Sequence, residues 1–442
     1  MAGKSNQSGP AGYARSVYLV DGARTPFLRA EGRPGPFSAA DLAVAVGRAL
    51  LARQNFSPTQ LDEVILGCVI PAPDEANVAR VVSLRLSCGN RVPAWTVQRN
   101  CASGMQALAT AAERIAAGYS DLILAGGTEA MSRAPILWGP ELVRLLAGWQ
   151  QAKSLGQKLK LLGRLRPEHL KPIISLLQGL TDPTTSLIMG QTAEILATRF
   201  NIGRKEMDGY ALQSHQRLAA AIDAERFAEI IPLYTTDGRT IKVDDGLRRD
   251  GSLEKLAKLK PFFDRHYGRV TAANSSQVSD GAALLLLASE AAVEQYQLPV
   301  LGKLIDTSWA GLPPEEMGLG PVYAMDSLLQ RHPQVAEQID LWEINEAFAV
   351  QVQACLAALE DEAWQHQELG RRTVVPKIDL ERLNVDGGAV AIGHPIGASG
   401  ARIVLHLLLA LRQRGGGKGV ASLCIGGGQG GAMLIEAKGD QS

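Results

Sequence analysis

The sequence predicts an α/β protein built from two duplicated halves, with a loop domain inserted into the first half. Short apolar runs that end near glycines alternate along the 442 residues with longer stretches of helical periodicity. That alternation is typical of a sheet covered by helices. One helix and strand pair also occurs twice in the same order. Between the two copies, residues 138–270 are richer in Lys and Arg and have weaker strand signals.

The first half can be followed element by element. The run "SVYLVDGARTPF" (16–27) predicts a strand ending in a turn, and "SAADLAVAVGRALLARQNF" (38–56) predicts a helix with Ser38 or Asp41 as its cap. Further strands are predicted within 61–70, 94–100 and 121–127. We expect a disordered lead-in over 1–15, the N-terminal half over 16–137 and 271–290, the inserted loop or lid domain over 138–270, and the C-terminal half over 291–442.

The internal repeat supports the two halves. "ASGMQALATAAERIAAG" (102–118) precedes the strand "DLILAGG", and "ASGARIVLHLLLALRQRG" (398–415) precedes the strand "VASLCIGGG". Each copy has Ala-Ser-Gly, a helix of similar length, a glycine stop and an apolar strand that runs into glycines. Two elements in one order indicate a duplicated unit.

Composition and charge exclude several classes of protein. Lys+Arg and Asp+Glu are both 45, so no overall field favours nucleic acid, which we do not expect as a partner. The apolar runs are too short to cross a membrane, and the first residues lack the apolar core of a secretory signal. The five cysteines are scattered without a CxxC pair, which argues against disulfides or a metal site and favours a cytoplasmic protein.

Cys101 is the first candidate for chemistry. It lies in "RNCASGMQALATAAERIAAG" (99–118), two residues before a predicted helix. The first turn of a helix has unpaired N–H groups and a partial positive charge, and both favour a thiolate. The alternative is a small apolar residue packed between a strand and a helix. Cys68, Cys88 and Cys355 lie in apolar runs and are assigned to the core.

Three further motifs stand out. "LWEINEAFA" (341–349) runs from an apolar strand into Asn345 and Glu346, and "NVDGGAVAIGHPIGASGAR" (384–402) holds His394 in a glycine-dense loop. "VASLCIGGGQGGAML" (420–434) places Cys424 at the end of a strand. Its G-x-G-x-x-G spacing does not indicate a dinucleotide site, because a strand follows where that fingerprint requires a helix.

Together these motifs describe acyl transfer. Cys101 would be the nucleophile and His394 the group that takes its proton. Glycine-rich backbone near Cys424 can supply N–H donors to an oxyanion. A second cysteine suits proton transfer at a carbon beside a thioester carbonyl.

The four motifs, and the chain from about 16 to 437, resemble the thiolase family, whose members cleave or form 3-ketoacyl-CoA using coenzyme A. The resemblance implies a five-layered α/β/α/β/α fold, a dimer or tetramer, and CoA as a substrate with no further cofactor. It also implies roles for site residues: Cys101 is acylated, His394 activates it, Asn345 holds an oxyanion-hole water, Cys424 is the acid/base, Gly426 and Cys101 supply N–H groups to a second oxyanion hole, and Ser276 contacts pantetheine.

Three functions follow from this resemblance. The first is a degradative 3-ketoacyl-CoA thiolase of fatty-acid β-oxidation, and the second is a biosynthetic acetoacetyl-CoA thiolase. Ile188 stands before Met189 and Gly190 where many short-chain biosynthetic relatives have histidine, which favours the first. A silent CoA- or lipid-binding scaffold is the third, and the intact set of Cys101, Asn345, His394 and Cys424 argues against it.

The composition and apolar spacing of residues 139–180 predict a docking surface. They resemble the insertion in thiolase subunits of fatty-acid oxidation complexes, and they carry seven basic residues against two acidic ones. A basic amphipathic stretch favours a membrane surface or a partner such as a hydratase/dehydrogenase subunit. The alternative is a lid helix packed over the active site. The apolar residues that can share a helical face are Leu142, Leu145, Leu146, Trp149, Ala152, Leu159 and Leu162.

Overall fold

The computed structural model describes residues 12–439, which form 14 strands and 16 α-helices. The strands are β1 (Val17–Arg24), β2 (Leu28–Arg29), β3 (Glu63–Gly67), β4 (Ala94–Val97), β5 (Leu122–Ala130), β6 (Ile136–Trp138), β7 (Pro172–Ile174), β8 (Leu233–Tyr234), β9 (Thr240–Ile241), β10 (Ser279–Ala288), β11 (Gly302–Gly311), β12 (Ile339–Ile344), β13 (Gly416–Ile425) and β14 (Gln429–Lys438). The helices are α1 (Ala39–Leu51), α2 (Val78–Arg85), α3 (Ser103–Ala116), α4 (Pro140–Gln151), α5 (Leu155–Leu162), α6 (Ser175–Gly179), α7 (Met189–Arg199), α8 (Arg204–Asp223), α9 (Leu253–Ala257), α10 (Glu290–Tyr296), α11 (Gly320–Gln330), α12 (Pro333–Ala336), α13 (Ala349–Glu360), α14 (Glu362–Glu368), α15 (Ala389–Ile392) and α16 (Ile396–Gln413). Short 3₁₀ turns occur at Pro58–Gln60, Pro73–Glu75, Met131–Arg133, Pro167–Leu170, Pro314–Leu319 and Leu380–Arg382.

The main sheet has two similar halves joined edge to edge. Its order is β12-β13-β14-β11-β1-β10-β5-β3-β4, with the short β2 paired to β10. The outer pairs β3–β4, β3–β5 and β12–β13 are parallel, and the strands between β5 and β13 pair antiparallel. The seam between the halves is the pairing of β1 with β11 over Val17–Leu19 and Gly302–Leu304.

Side chains alternate between the two faces of this sheet, and helices pack against both faces to give five layers. One face of the first half packs with α1 and α2, and the outer face of the second half packs with α11 and α13. The opposite faces of both halves contact the same central pair of helices, α3 and α16, through residues such as Leu285, Leu108, Leu405 and Leu423. The five-layered α/β/α/β/α prediction is confirmed, since the sheet wraps around α3 and α16.

The repeat corresponds to α3 followed by β5 and α16 followed by β13. The first turn of α16 lies against β5 and α3 at glycines. A Cβ on Gly127 would lie 1.9 Å from the Gly397 carbonyl oxygen, and one on Gly104 would lie 2.8 Å from the same oxygen. Because these glycines have no side chains, the backbone in the first turn of α16 can approach the first turn of α3 closely.

The inserted segment has two parts of different character. Leu196 of α7 and Met207 and Ala211 of α8 belong to the same core cluster as the outer helices of the C-terminal half. That part therefore has no separate core of its own. Helices α4 and α5 are different, because many of their large apolar side chains are exposed. The boundaries at 138 and 270 stay a prediction.

Several local predictions can be compared directly. Ser38 caps α1 and Asp41 bonds back to the Ser38 backbone, so both predicted cap residues take part. Residues 1–11 of the predicted lead-in lie outside the described residues. In the remaining part of the lead-in, the Tyr13 hydroxyl lies 2.9 Å from Thr307 Oγ1, and the bounds of the lead-in stay a prediction. No helix between residues 12 and 439 is both long and apolar enough to cross a bilayer.

Candidate active site

One cavity of about 140 Å³ collects most of the predicted site residues. It is lined by residues from both halves: Cys101, Ser276, His394, Cys424 and Gly426. Asn345 is not part of this lining, although Ala347 and Phe348, which follow it, are. The sequence motifs therefore converge, while Asn345 lies behind the cavity wall. We call this space the catalytic cavity.

Cys101 lies two residues before α3 and is half-buried. Burial raises the pKa of its thiol, and a hydrogen bond from the backbone of Gly426 only partly offsets this. Burial therefore acts against the thiolate that the helix terminus is expected to favour. Asn100 has a left-handed backbone with φ of 43° and donates from Nδ2 to the Gly426 oxygen at 2.7 Å. This bond fixes the Gly426 peptide beside the thiol.

His394 also lies two residues before its helix, α16, and is buried. Its Nδ1 lies 2.6 Å from Ser399 Oγ, and that hydroxyl donates to the Pro395 oxygen at 3.0 Å. A hydroxyl has one proton, so Ser399 accepts from Nδ1–H and leaves the Nε2 lone pair free. Within residues 12–439, Nε2 has no hydrogen-bond partner. Burial, with the charge of Arg402, lowers the pKa of His394 to about 4, so the resting ring is neutral and its Nε2 lone pair is unoccupied.

Cys424 lies near the end of β13 and is buried. Burial raises the pKa of its thiol well above the usual value, and the neighbouring Cys101 adds to this. A thiolate on one cysteine therefore disfavours a thiolate on the other. Such a pair suits a reaction in which only one sulfur is charged at a time.

The motif after β12 places two polar residues beside the cavity. Asn345 is fully buried, and both its side-chain amide atoms lack a hydrogen-bond partner within the protein. Its backbone N–H donates to the Ser422 oxygen at 2.9 Å. Glu346 instead accepts from Ser214 Oγ at 2.7 Å and from the Val390 N–H at 3.1 Å. Glu346 therefore holds the loop that leads to His394, whereas Asn345 has unused donors and acceptors.

Ser276 contributes to the wall of the catalytic cavity. Its backbone N–H donates to the Ala347 oxygen at 2.9 Å, which ties the segment before β10 to the Asn345 motif. The rest of the cavity is mostly apolar, and this favours an aliphatic ligand over a charged one. The apolar lining residues include Met131, Leu180, Ile188, Met189, Phe263, Met317 and Phe348.

Two supporting residues were missed from the sequence. Ser399 fixes the His394 ring, and its position in the first turn of α16 could have suggested this. Glu129, at the end of β5, is fully buried and accepts from the N–H groups of Val69 at 2.9 Å and Gly397 at 3.1 Å. Burial raises its pKa to about 7. It ties the two halves together behind Cys101, and an acidic residue directly after "LAGGT" was the available signal.

The remaining cysteines and possible metal ligands do not add to the site. Cys68, Cys88 and Cys355 are buried, as predicted for core residues. The glycine run after Cys424 leads into the strand β14, which confirms that it does not open a helix. Among residues 12–439, no group of three or more His, Cys, Asp or Glu side chains could hold a metal ion.

Comparisons with known proteins agree with this geometry. The family models described as thiolase N-terminal domain and thiolase C-terminal domain match residues 17–291 and 298–437. A 3-ketoacyl-CoA thiolase of Yersinia pestis (strain Pestoides F) is 37% identical over 428 residues, covering 96% of this chain and 97% of that protein. Human mitochondrial 3-ketoacyl-CoA thiolase in complex with CoA has a TM-score of 0.83 at 36% identity, covering 97% of this chain and all of that one. The acetyl-CoA acetyltransferase of Bacillus anthracis has a TM-score of 0.82 at 36% identity, covering 96% of this chain and all of that one. With both family domains matched in one continuous chain, this protein belongs to the thiolase family.

Proposed function

We propose that this protein is an acyltransferase that cleaves 3-ketoacyl-CoA with CoA, giving acetyl-CoA and a shortened acyl-CoA, as in fatty-acid β-oxidation. The observation that carries the proposal is the meeting of two thiols and a neutral, free imidazole nitrogen at one apolar cavity. A single activated thiol would suffice for acyl transfer alone. The second thiol provides proton transfer at carbon, which cleavage of a carbon–carbon bond requires.

The first half-reaction uses Cys101, His394 and Cys424. His394 Nε2 takes the Cys101 proton, and the sulfur attacks the 3-keto carbon. The bond between C2 and C3 then breaks, its electron pair goes to C2, and the Cys424 thiol protonates C2 to release acetyl-CoA. The buried amide of Asn345, through a water, and the N–H groups of Gly426 and Cys101 would stabilise the oxygen anions that form.

The second half-reaction returns the enzyme to its starting state. The Cys424 thiolate takes the proton of a new CoA thiol, and the CoA sulfur attacks the acyl-Cys101 carbonyl carbon. The bond to Cys101 breaks, and Cys101 regains its proton from His394. Ser276 would contact the pantetheine of CoA, which is a substrate here. The human relative in complex with CoA supports CoA as a substrate.

The names of similar proteins favour the degradative direction. The Yersinia relative and the human neighbour are 3-ketoacyl-CoA thiolases, and Ile188 replaces the histidine expected of many biosynthetic relatives. The biosynthetic alternative is therefore not favoured. We also propose a homodimer or homotetramer in the cytoplasm.

Two variants test the mechanism. Cys101→Ala should abolish cleavage and should carry no acyl adduct by intact-protein mass spectrometry after incubation with acyl-CoA. Cys424→Ala should still acquire an adduct from a simple acyl-CoA, although more slowly, because the departing CoA thiolate needs no proton at carbon and can leave without Cys424. The same variant should lose cleavage of acetoacetyl-CoA, which requires protonation of C2. An adduct on the Cys101→Ala protein, or equal loss of both reactions in Cys424→Ala, would contradict the assigned roles.

Residues 139–180 support a further proposal about partners. Of the predicted apolar face only Leu142 is buried, while Leu146 is 53% and Leu159 is 59% exposed. Exposed apolar side chains with an excess of basic charge favour adsorption to an anionic membrane. We therefore propose that α4 and α5 form a docking surface for anionic lipid, with a hydratase/dehydrogenase subunit as the competing occupant.

Sedimentation distinguishes the two occupants. Wild-type protein should sediment with vesicles containing phosphatidylserine at low salt, and charge reversal at Lys153, Lys158 and Lys160 should abolish this. Reversal at Lys205 and Lys255, which lie outside this surface, is the control and should not affect sedimentation. Capture of a hydratase/dehydrogenase subunit without vesicle binding would replace the lipid proposal.

A further inference from the structure

Arg99 stands two residues before the nucleophile and reaches across to the other half of the chain. Its Nη1 donates to Gln429 Oε1 at 3.2 Å, and its guanidinium carbon lies 4.3 Å from the centre of the Trp309 ring. Gln429 is the first residue of β14, and Trp309 lies on the adjacent strand β11. A guanidinium within about 6 Å of an indole ring centre is attracted to the face of the ring. Arg99 therefore joins the segment before Cys101 to two strands of the second half.

Gln429 directly follows the loop that carries the Gly426 N–H. Residues 426–428 connect β13 to β14 and are all glycines, so the loop has no side chains of its own with which to fix its peptides. The Gly426 N–H bonds to the Cys101 thiol, and the Gly426 oxygen accepts from Asn100 Nδ2 at 2.7 Å. Those two bonds hold the start of the loop, and the guanidinium bond to Gln429 holds its end. The nucleophile segment therefore contacts both ends of the loop.

Trp309 supports the guanidinium, and Gly431 makes room for Trp309. The two residues pair across β14 and β11. A Cβ on Gly431 would lie 2.5 Å from Trp309 Cζ3 and 2.9 Å from Trp309 Cε3, and at those distances the ring would have to move. The indole therefore lies against bare backbone on β14 while it contacts the guanidinium. Only glycine at position 431 leaves the ring where it is.

Resting on the proposed function, we propose that Arg99 and Trp309 are positioning residues for the thiolase reaction. We call Arg99, Trp309 and Gln429 the arginine clamp. None of the three lines the catalytic cavity, so they act through other residues and not on the reacting atoms. The clamp holds the loop that presents the Gly426 N–H to the Cys101 sulfur, and the same N–H belongs to the proposed oxyanion hole. Loosening the clamp should therefore slow the chemical steps without weakening the binding of CoA.

The first test changes the ring and leaves every charge in place. In thiolysis of acetoacetyl-CoA, kcat should fall about 3- to 30-fold in Trp309→Leu, while KM for CoA should stay within about twofold of wild type. Trp309→Phe keeps an aromatic face and should recover most of the rate. Arg99→Lys keeps the charge but lacks the planar group, and it should show a loss similar to that of Trp309→Leu. Tyr119→Leu is the matched control, because Arg114 Cζ lies 5.6 Å from the Tyr119 ring and neither residue lines the catalytic cavity. Its kcat and KM should not change.

The second test reaches the same contact from β14. Gly431→Ala should displace the Trp309 ring and lower kcat as Trp309→Leu does. Combined with Trp309→Leu, it should cost little more, because no indole remains to be displaced. Residues that act through one contact show such non-additivity. Losses of kcat that multiply fully in the double variant would overturn the inference.

Alkylation of Cys101 by iodoacetamide separates this inference from the proposed function, because it needs no thiolase activity. A hydrogen bond from Gly426 favours the thiolate, so the pH at which Cys101 reacts should rise in Trp309→Leu and return toward wild type in Trp309→Phe, as read by peptide mass spectrometry. A purely structural defect would lower Tm and leave this pH profile in place. An unchanged kcat in Trp309→Leu, or equal losses in Trp309→Leu and Trp309→Phe, would overturn the inference and leave the thiolase assignment intact. A wild-type protein that does not cleave acetoacetyl-CoA but shows the expected alkylation profiles would contradict the proposed function and support the clamp.

Discussion

Removing the Ser399 hydroxyl tests whether the His394 ring is held in the form that catalysis needs. In Ser399→Ala, Nδ1–H loses the acceptor that now lies 2.6 Å away, inside a buried site. A buried donor left unpaired costs about 1–3 kcal/mol. The ring can avoid that cost by moving its proton to Nε2 or by rotating, and either change removes the free base. Since about 1.4 kcal/mol is tenfold in rate, kcat should fall about 5- to 140-fold.

The assay is thiolysis of acetoacetyl-CoA, followed by the loss of its absorbance. Ser399→Thr retains the hydroxyl and should recover activity, whereas a purely structural defect would not depend on that oxygen. Ser120→Ala is the control, because it deletes a buried hydroxyl, bonded to Glu63 at 3.0 Å, that lies outside the catalytic cavity. If kcat for Ser399→Ala stayed within twofold of wild type, Ser399 would not control the tautomer of His394.

Two further predictions concern packing and pH. Gly127→Ala should lower Tm by several degrees and reduce kcat, because its Cβ would lie 1.9 Å from the Gly397 oxygen and overpacking costs about 1–3 kcal/mol. An unchanged melting curve would show that α16 can shift freely. Burial acts to lower the pKa of His406, but the carboxylates of Asp386 and Glu229, at 3.4 Å and 3.1 Å from its ring nitrogens, raise that pKa to about 9. A raised pKa adds stability that is complete below the unfolded value near 6.5 and is lost as pH rises through 9, so His406→Gln should lower Tm more at pH 6 than at pH 9.5. Equal losses at the two pH values would refute this.

Much of the fold could be predicted from the sequence because the patterns that define it are local. The cap at Ser38, the repeated helix and strand pairs, and the glycines that end each strand are all short-range patterns. The same holds for the nucleophile and the base, since Cys101 and His394 each stand directly before a recognisable helix. The resemblance to thiolases then placed Cys424 and Ser276 at the same cavity.

Properties of the site that depend on contacts between distant residues could not be predicted from the sequence. The pKa of the Cys101 thiol is raised by burial between the two halves, which no local pattern reveals. The unpaired amide of Asn345 is visible only once its neighbours are placed.

Cys101 and His394 occupy equivalent positions in the two halves of the chain, and this determines whether separated halves could be active. Each residue stands two places before the central helix of its own half, so one half brings the sulfur and the other brings the proton acceptor. Two separate fragments would have to find each other before any turnover, and their activity would fall with the square of dilution. Covalent linkage replaces that encounter with a fixed effective concentration. The rate per molecule of the intact chain is therefore independent of how the halves would associate. A nick in the connection at residues 291–301 should make activity concentration-dependent only if the β1–β11 pairing and the packing of α3 against α16 also separate.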